Sequence, residues 1–201
     1  MSVPVLETPR LLVRPLGLDD LAAVYQLLDV DLADADFGSE APKAMAEREA
    51  WLRWTVLNYE QLDQLYQPPY GERAITLRAT GQIIGLVGFV QSLGPWERLA
   101  GYTAASPQPN QRFTPAFGMY WAIAPSCQGQ GYATEAARAM LAYAFEHIGL
   151  RQAIASTSYD NLASQAVMRH LGMRLLKNAF PDPSWFQVVG IIDFDSLPPA
   201  A

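Results

Sequence analysis

The sequence has few residues from which to build a metal or disulfide site. It holds one cysteine, Cys127, and two histidines in 201 residues. A single thiol cannot form an internal disulfide, and one cysteine with two histidines is too small a ligand set for a structural zinc ion. We therefore predict no metal site and a fold that is stabilised by its hydrophobic core alone.

Charge is also scarce, and what there is has an acidic balance. Asp, Glu, Lys and Arg make up 17% of the chain, against about 25% in a typical globular protein, and the net charge is −6. No basic cluster interrupts this balance, so we do not expect nucleic acid as a partner. An acidic chain favours a cationic partner such as an amine.

Long hydrophobic runs are absent. No run approaches the roughly 18 uncharged residues of a membrane-spanning helix. Residues 1–15 contain Glu7, Arg10 and Arg14 and no apolar signal-peptide core. We therefore expect a soluble, cytoplasmic protein with no membrane partner. Half of the residues are hydrophobic, which excludes a chain that is disordered as a whole, and a chain of 201 residues is most simply one domain.

The first half of the chain predicts a strand, two helices and a hairpin. The strand is Leu11–Arg14, the first helix has Asp19 as its N-cap, and the second helix spans about residues 43–66. The hairpin has strands at 74–78 and 83–90, the second nearly all apolar and therefore predicted to be buried.

The second half begins with a predicted long loop at residues 92–115, and a loop of that length is often functional. Then follow a strand at 119–124, a glycine-rich turn at 128–131, a helix ending at Gly149, a strand at 153–157, a helix capped by Asn161, a last strand at 186–192 and a flexible tail at 196–201. Alternating strands and helices indicate a mixed α/β fold.

The glycine-rich turn joins a buried strand to an amphipathic helix. The first N–H groups of such a helix have no partner within it and lie at the positive end of its dipole. With glycines beside them, these groups are typical of a phosphate site. A Walker loop would need a lysine where the chain has Tyr132-Ala133, and a dinucleotide fingerprint would need a third glycine. A glycine turn without a ligand also fits these residues.

The residues around this turn resemble the GNAT superfamily of N-acetyltransferases. Gln128-x-x-Gly131-x-Ala133 is similar to the superfamily signature Gln/Arg-x-x-Gly-x-Gly/Ala. The run Gly129–Ala136, followed by Asn161–Ser164 and Leu171–Met173 and preceded by Thr8–Pro15, resembles the branch that contains the ribosomal-protein N-terminal acetyltransferases. The resemblance implies a mixed, mostly antiparallel sheet flanked by helices, acetyl-coenzyme A as cofactor and an amine as acetyl acceptor.

The resemblance also implies where the cofactor lies. Backbone groups of Ala122, Ile123 and Ala124 would pair with its pantetheine arm. The turn residues that would bind it are Gln128, Gly129, Gln130, Gly131, Tyr132, Ala133 and Thr134. Asn161 is similar to an asparagine that hydrogen-bonds the pantetheine, and Ser164, on the same helix face, is positioned to meet the thiol. A plain N-cap role for Asn161, with Ser164 in the capped first turn, fits the sequence equally well.

The acid and the base stay open. Many relatives have a tyrosine acid where this chain has Met168, so Ser164 or a bound water is left to protonate the departing thiolate. Relatives often carry a glutamate on the central strand, but residues 117–120 contain no carboxylate. Glu97 and Asp160, acting through water, are the candidate bases.

Two residues have alternative roles. Cys127, beside the turn, would suit an acyl-cysteine mechanism, but His147 and His170 lie on later helices with no evident pairing to it, so direct transfer is favoured. Glu135 could orient the turn or the substrate, or simply stabilise the first turn of its helix. Of these roles for Glu135, stabilisation of the helix is favoured.

A site without a strong base favours an amine that is partly neutral at pH 7. The pKa of an α-amino group is about 7.7 to 8.0, and that of lysine is about 10.4, so a peptide or protein N terminus is the expected acceptor. The loop aromatics Trp96, Tyr102 and Trp185 are candidates for lining its pocket, whereas aromatics at helical spacing, such as Trp54, are expected in the core. A small amine or antibiotic is the alternative acceptor, a weak acyl-coenzyme A binding or sensing module is the alternative function, and a homodimer is a further candidate assembly.

Overall fold

The computed structural model describes residues 3–34, 42–102 and 113–196. Within these residues the strands are β1 (Leu6–Glu7), β2 (Leu11–Pro15), β3 (Glu72–Leu77), β4 (Ile83–Gly94), β5 (Thr114–Ile123), β6 (Gln152–Thr157), β7 (Arg174–Lys177) and β8 (Val188–Asp193). They form one sheet in the order β1-β2-β3-β4-β5-β6-β8-β7. The β5–β6 pair is parallel, and the pairs β1–β2, β2–β3, β3–β4, β6–β8 and β7–β8 are antiparallel.

Four α-helices accompany the sheet in the described part of the chain. They are α1 (Leu21–Tyr25), α2 (Met45–Gln64), α3 (Tyr132–Tyr143) and α4 (Leu162–His170), with π-helical continuations of α1 over Gln26–Asp31 and of α3 over Ala144–Ile148. None of the helices in the described ranges is long and apolar enough to cross a bilayer. The mixed sheet with its helices confirms the predicted fold class.

The chain divides into two compact units, each built from two separate stretches. Unit 1 comprises residues 1–89 and 121–148, and unit 2 comprises residues 90–120 and 149–201. The strands β4 and β5 contribute residues to both units.

Unit 1 has its core between the first strands and the helices. The β4 residues Ile84–Phe89 are all buried, as their continuous apolar run predicts. The helix α3 packs against β1 and β2 and buries the small residues Ala136 and Ala137 together with Met140 and Leu141. The predicted hairpin and the predicted helix after the glycine turn are both confirmed.

Unit 2 has a second core, which contains the segment that follows β4. Trp96 and Leu99 pack with Phe186 and with Val189 and Ile191 of β8. Side chains alternate along a strand, so Gly190 between them faces the opposite side. On that side a Cβ at Gly190 would lie 3.0 Å from the sulfur of Met168 in α4, so α4 and the Trp96 segment cover opposite faces of β8.

Several predicted boundaries are wrong. The loop is shorter than residues 92–115, because β4 extends to Gly94 and β5 begins at Thr114; residues 103–112 lie outside the described residues. The predicted tail 196–201 begins inside a 3₁₀ turn, Phe194–Ser196, and its residues 197–201 also lie outside the description.

Two side chains and two strands also differ from expectation. Asp19 is not an N-cap: Gly17 precedes a 3₁₀ turn, and its N–H donates to Oδ2 of Asp20 at 2.8 Å. Trp54 is 58% exposed and not in the core. The strands β1 and β7, which have 2 and 4 residues, were not predicted, because so short a run carries no readable alternation.

Candidate functional site

The turn between β5 and α3 has the backbone of an anion site. Gly129 and Gly131 have φ angles of 72° and 81°, in the left-handed region that side chains disfavour. Gly131 is the N-cap residue of α3 and has no side chain with which to cap it. The first N–H groups of this 12-residue helix are therefore left for a partner outside it.

The space around the turn suits such a partner. Among the described residues, a Cβ placed on Gly129 would meet no atom within 4 Å, and one placed on Gly131 would meet Nη2 of Arg10 at 3.5 Å. The glycines are thus required by backbone conformation and not by crowding, and the turn stays open. A polyphosphate fits this arrangement, and the assignment of residues 128–134 to cofactor binding stays a prediction.

An arginine from the N-terminal segment lies against the turn. Nη1 of Arg10 donates to the carbonyl of Gln130 at 3.0 Å, and its guanidinium carbon lies 4.4 Å from the ring centroid of Tyr132. Nε of Arg10 is 2.6 Å from Oε2 of Glu135. No sequence pattern near the turn indicates Arg10, since it precedes β2 and meets the turn only in the folded chain.

Glu135 fixes this arginine. Its Oε1 accepts hydrogen bonds from the Thr8 hydroxyl at 2.6 Å and from the Arg10 N–H at 3.0 Å. Partial burial raises the pKa of Glu135, but the hydrogen bonds from Thr8 and Arg10 and the charge of Arg10 outweigh it and hold the pKa below its usual range. Of the two roles open from the sequence, orientation of the turn thus has support in these contacts.

The backbone predicted to pair with pantetheine is partly occupied. The N–H of Ala124 donates to the carbonyl of Ile84 at 2.9 Å, so this group is not free for a cofactor, which corrects that part of the prediction. The carbonyl of Ile123 accepts from Nε2 of Gln128 at 2.9 Å. Gln128 therefore holds the end of β5 with its side chain, and the assignment of Ala122 and Ile123 to pantetheine binding stays a prediction.

In unit 2, β5 and β6 run parallel and pair at one described position, Gly118 with Ile154. By contrast, β6 pairs with β8 at every residue from 152 to 157. The ladder between β5 and β6 is therefore much shorter than the one between β6 and β8.

Asn161 and Ser164 are brought together at the start of α4. The Oδ1 atom of Asn161 accepts the Ser164 N–H at 3.0 Å, which confirms the N-cap role. Ser164 is half-buried, and its hydroxyl makes no hydrogen bond to any other described residue. The hydroxyl is thus available as a proton donor, and that role stays a prediction.

The two candidate bases differ in their surroundings. Asp160 accepts a hydrogen bond from the Ser158 hydroxyl at 2.6 Å, which lowers the pKa of Asp160 and weakens it as a base. Glu97 is half-buried in the 3₁₀ turn after β4. Burial, followed by the charge of Glu97, raises the pKa of Tyr102, so these two predicted site residues lie near one another.

The loop aromatics are more buried than a pocket lining requires. Trp96 is 1% exposed, with its ring edge-to-face against Trp185 and Phe186 at centroid distances of 6.3 and 5.5 Å. Trp96 is therefore a core residue, which corrects its assignment to the acceptor pocket. Tyr102 and Trp185 are partly buried against the same cluster, and their roles stay predictions. Met168 is 1% exposed and is likewise a core side chain.

Comparison with known proteins places these features in a family. The acetyltransferase (GNAT) domain matches residues 10–174. The FsC-acetyl coenzyme A-N(2)-transacetylase of Aspergillus fumigatus is 35% identical over 96 residues, 47% of this chain and 40% of that protein. The uncharacterized N-acetyltransferase YnaD of Bacillus subtilis is 43% identical over 54 residues, 27% of this chain and 32% of that protein. The matches thus span less than half the length of these curated relatives.

Solved structures share the fold at low sequence identity. The ribosomal-protein-S5-alanine acetyltransferase of Vibrio fischeri has a TM-score of 0.67 at 15% identity, with 98% of this chain and all of that chain (100%) covered. RimL, a ribosomal L7/L12 α-N-protein acetyltransferase in complex with coenzyme A, has a TM-score of 0.64 at 18% identity, with 94% and 96% covered. Because the family match covers residues 10–174, more than half of the chain, the protein belongs to the acetyltransferase (GNAT) domain family, and its fold is the one expected from the sequence.

Proposed function

We propose that the protein is an acetyl-coenzyme A-dependent N-acetyltransferase whose acceptor is the α-amino group of a peptide or protein N terminus. The observation that carries the proposal is the glycine turn, with two left-handed glycines at the open N terminus of α3 and Arg10 against its backbone. The turn would hold the pyrophosphate, and the bound cofactor would supply an acetyl thioester.

The acceptor class follows from the weakness of the available bases. Residues 117–120 of β5 carry no carboxylate, and the pKa of Asp160 is lowered by its bond from Ser158. A carboxylate with a low pKa removes a proton poorly at neutral pH, so the amine must arrive partly neutral. About a tenth of an α-amine is neutral at pH 7, against a few parts in ten thousand of a lysine. The names of RimL and of the S5-alanine acetyltransferase point to the same acceptor class.

Two residues of unit 2 have proposed roles in proton transfer. The Ser164 hydroxyl, which is unbonded within the described chain, is proposed to donate a proton to the departing thiolate. Glu97 is proposed to take the proton of the amine through a water molecule. A weak base is sufficient for this proton transfer if the amine is N-terminal.

The test compares two versions of one peptide. The first has a free N terminus and arginine in place of lysine, and the second is N-acetylated and keeps one lysine. Thiol release from acetyl-coenzyme A at pH 7, with mass spectrometry of the products, should show faster acetylation of the first peptide. Faster acetylation of the lysine peptide would contradict the proposed acceptor.

A small amine is the second candidate acceptor. The 35% identity with the transacetylase from Aspergillus fumigatus, which is named for acetylating N2 of FsC, favours it. Spermidine and an aminoglycoside in the same assay test this candidate, and binding of coenzyme A without turnover of any amine would indicate the sensing module. A cytoplasmic location and a homodimer stay predictions, to be tested by cell fractionation and light scattering.

A further inference from the structure

Three side chains of unit 1 link the segment before β2 to the first turn of α3: Thr8, Arg10 and Glu135. Both carboxylate oxygens of Glu135 are used, Oε1 by the Thr8 hydroxyl and the Arg10 N–H and Oε2 by Nε of Arg10. The carboxylate therefore has one fixed orientation. It holds the Arg10 guanidinium, whose Nη1 reaches the carbonyl of Gln130.

This last hydrogen bond has a geometric consequence for the turn. The carbonyl of Gln130 and the N–H of Gly131 belong to one planar peptide group and point in opposite directions. Fixing the carbonyl on Arg10 therefore fixes the direction of the Gly131 N–H. Because Gln130 stands between two left-handed glycines, which have wide conformational freedom, the peptide would otherwise turn over at little cost.

The contact also has an electrostatic consequence. A carboxylate in the first turn stabilises its own helix but repels an anion bound at the same N terminus. Arg10 is paired with Glu135 at 2.6 Å and cancels that charge. The Arg10 side chain is 46% exposed and that of Glu135 is 17% exposed, so the cation is the more accessible of the two groups beside the turn.

We propose that Arg10 is a positioning residue for the cofactor's pyrophosphate: it fixes the Gln130–Gly131 peptide and screens the charge of Glu135. This rests on the proposed function, because it takes the turn to be a coenzyme A site. Arg10 acts through the turn and takes no part in the acetyl transfer.

The experiment compares Arg10→Ala and Arg10→Lys with a matched control, Arg53→Ala, which removes an exposed arginine paired at 2.6 Å with Glu49 on α2. Calorimetry should show about tenfold weaker coenzyme A binding for R10A, in the range of a lost charge-assisted hydrogen bond, and no change for R53A. R10K should lie between, because an ammonium screens the charge but cannot reach Glu135 and Gln130 together.

A second measurement uses acetyl-pantetheine, which lacks the pyrophosphate. The kcat/KM for acetyl-coenzyme A should fall about tenfold in R10A, while that for acetyl-pantetheine stays within about twofold. Equal losses for both donors would overturn the inference, since they would reflect a general defect of the fold. The R10A/E135Q double variant should bind coenzyme A several-fold more tightly than R10A, because it lacks the unscreened charge of Glu135. A double variant that binds no better overturns the proposal that Arg10 screens this charge.

The failures of the two proposals are distinguishable. A wild-type protein that binds coenzyme A, with R10A binding equally well, overturns the role of Arg10 and leaves the proposed function standing. A wild-type protein that binds no coenzyme A overturns both.

Discussion

Oδ1 of Asn161 accepts the N–H of Ser164 at 3.0 Å, so a residue predicted to bind pantetheine also caps α4. The cap uses only the side-chain oxygen, and the amide NH₂ has two further hydrogens to donate. One residue can therefore serve the helix with its oxygen and the cofactor with its nitrogen, and the two roles can be separated by substitution.

Asn161→Asp keeps the capping oxygen and removes the NH₂ donor, whereas Asn161→Ala removes both. We expect N161A to lose about 1 kcal/mol in the free energy of unfolding and N161D to stay within about 0.5 kcal/mol of wild type. Urea denaturation measures both values. The KM for acetyl-coenzyme A should rise in both variants, and a wild-type KM in N161D would leave Asn161 as a cap alone.

Ser164→Ala tests the proton donor without disturbing the cap, because the cap uses the backbone N–H of Ser164. We expect kcat to fall about a hundredfold, the size of a lost general acid, with the Kd for coenzyme A unchanged. Stopped-flow thiol release and calorimetry give the two values. An unchanged kcat would assign the proton to water.

Gly131→Ala should abolish coenzyme A binding while the protein still unfolds cooperatively. The matched control is Gly81→Ala: Gly81 has a φ of 74° in the hairpin turn and, like Gly131, space for a Cβ. Both substitutions should cost about 1 to 2 kcal/mol of stability, because alanine is strained in the left-handed region. Equal coenzyme A affinities in the two variants would remove the turn from the site.

The buried pair Asp29–Arg48 should be important to the stability of unit 1. Nε of Arg48 lies 2.7 Å from Oδ2 of Asp29, with side chains only 7% and 1% exposed. Arg48→Ala leaves a buried carboxylate without its partner and should cost about 3 to 5 kcal/mol, whereas the exposed-pair variant R53A should cost less than about 1 kcal/mol. Chemical denaturation of both variants checks the contrast.

The same pair predicts a loss of stability in acid. Burial raises the pKa of Asp29, but the bonds and charges of Arg48 and Lys43 outweigh it, so the folded-state pKa lies below the usual range. The stabilisation is therefore present above the unfolded-state pKa and is lost as the pH falls through the folded-state pKa. The stability gap between wild type and Asp29→Asn should narrow from about pH 5 towards pH 2. A gap independent of pH would contradict this.

The buried side chain of Tyr59 predicts a loss of stability in base. Its hydroxyl accepts the Leu16 N–H at 3.2 Å and donates to the carbonyl of Glu72, and burial raises its pKa to about 12. A raised folded-state pKa gives stability that is present below about pH 10 and is lost as the pH rises towards 12. The absorbance of tyrosinate at 295 nm should show a late-titrating tyrosine that disappears in Tyr59→Phe.

The features predicted correctly from the sequence are those with local signals. The glycine turn, the apolar face of α3 and the cap at Asn161 each follow from neighbouring residues, through backbone conformation, helical period or a short side chain. These features set the family resemblance, and they lie close to their predicted positions in the fold.

The features missed depend on contacts between distant parts of the chain. Trp96 follows a strand in what looks like a loop, and only the packing of β8 explains its burial. The burial of Trp96 also requires a glycine at position 94, because a Cβ on Gly94 would overlap the indole ring of Trp96. Arg10 is ordinary by sequence, and its importance arises only where it meets Gln130 and Glu135.

The Arg10–Glu135 contact joins positions that are 125 residues apart. As the chain is synthesised from its N terminus, Arg10 emerges long before the helix that it contacts exists. The ability to bind the cofactor is then acquired late, when two distant segments meet, and not when the signature residues are made. An isolated peptide with residues 125–145 would contain the whole glycine signature and still lack the arginine that orients it.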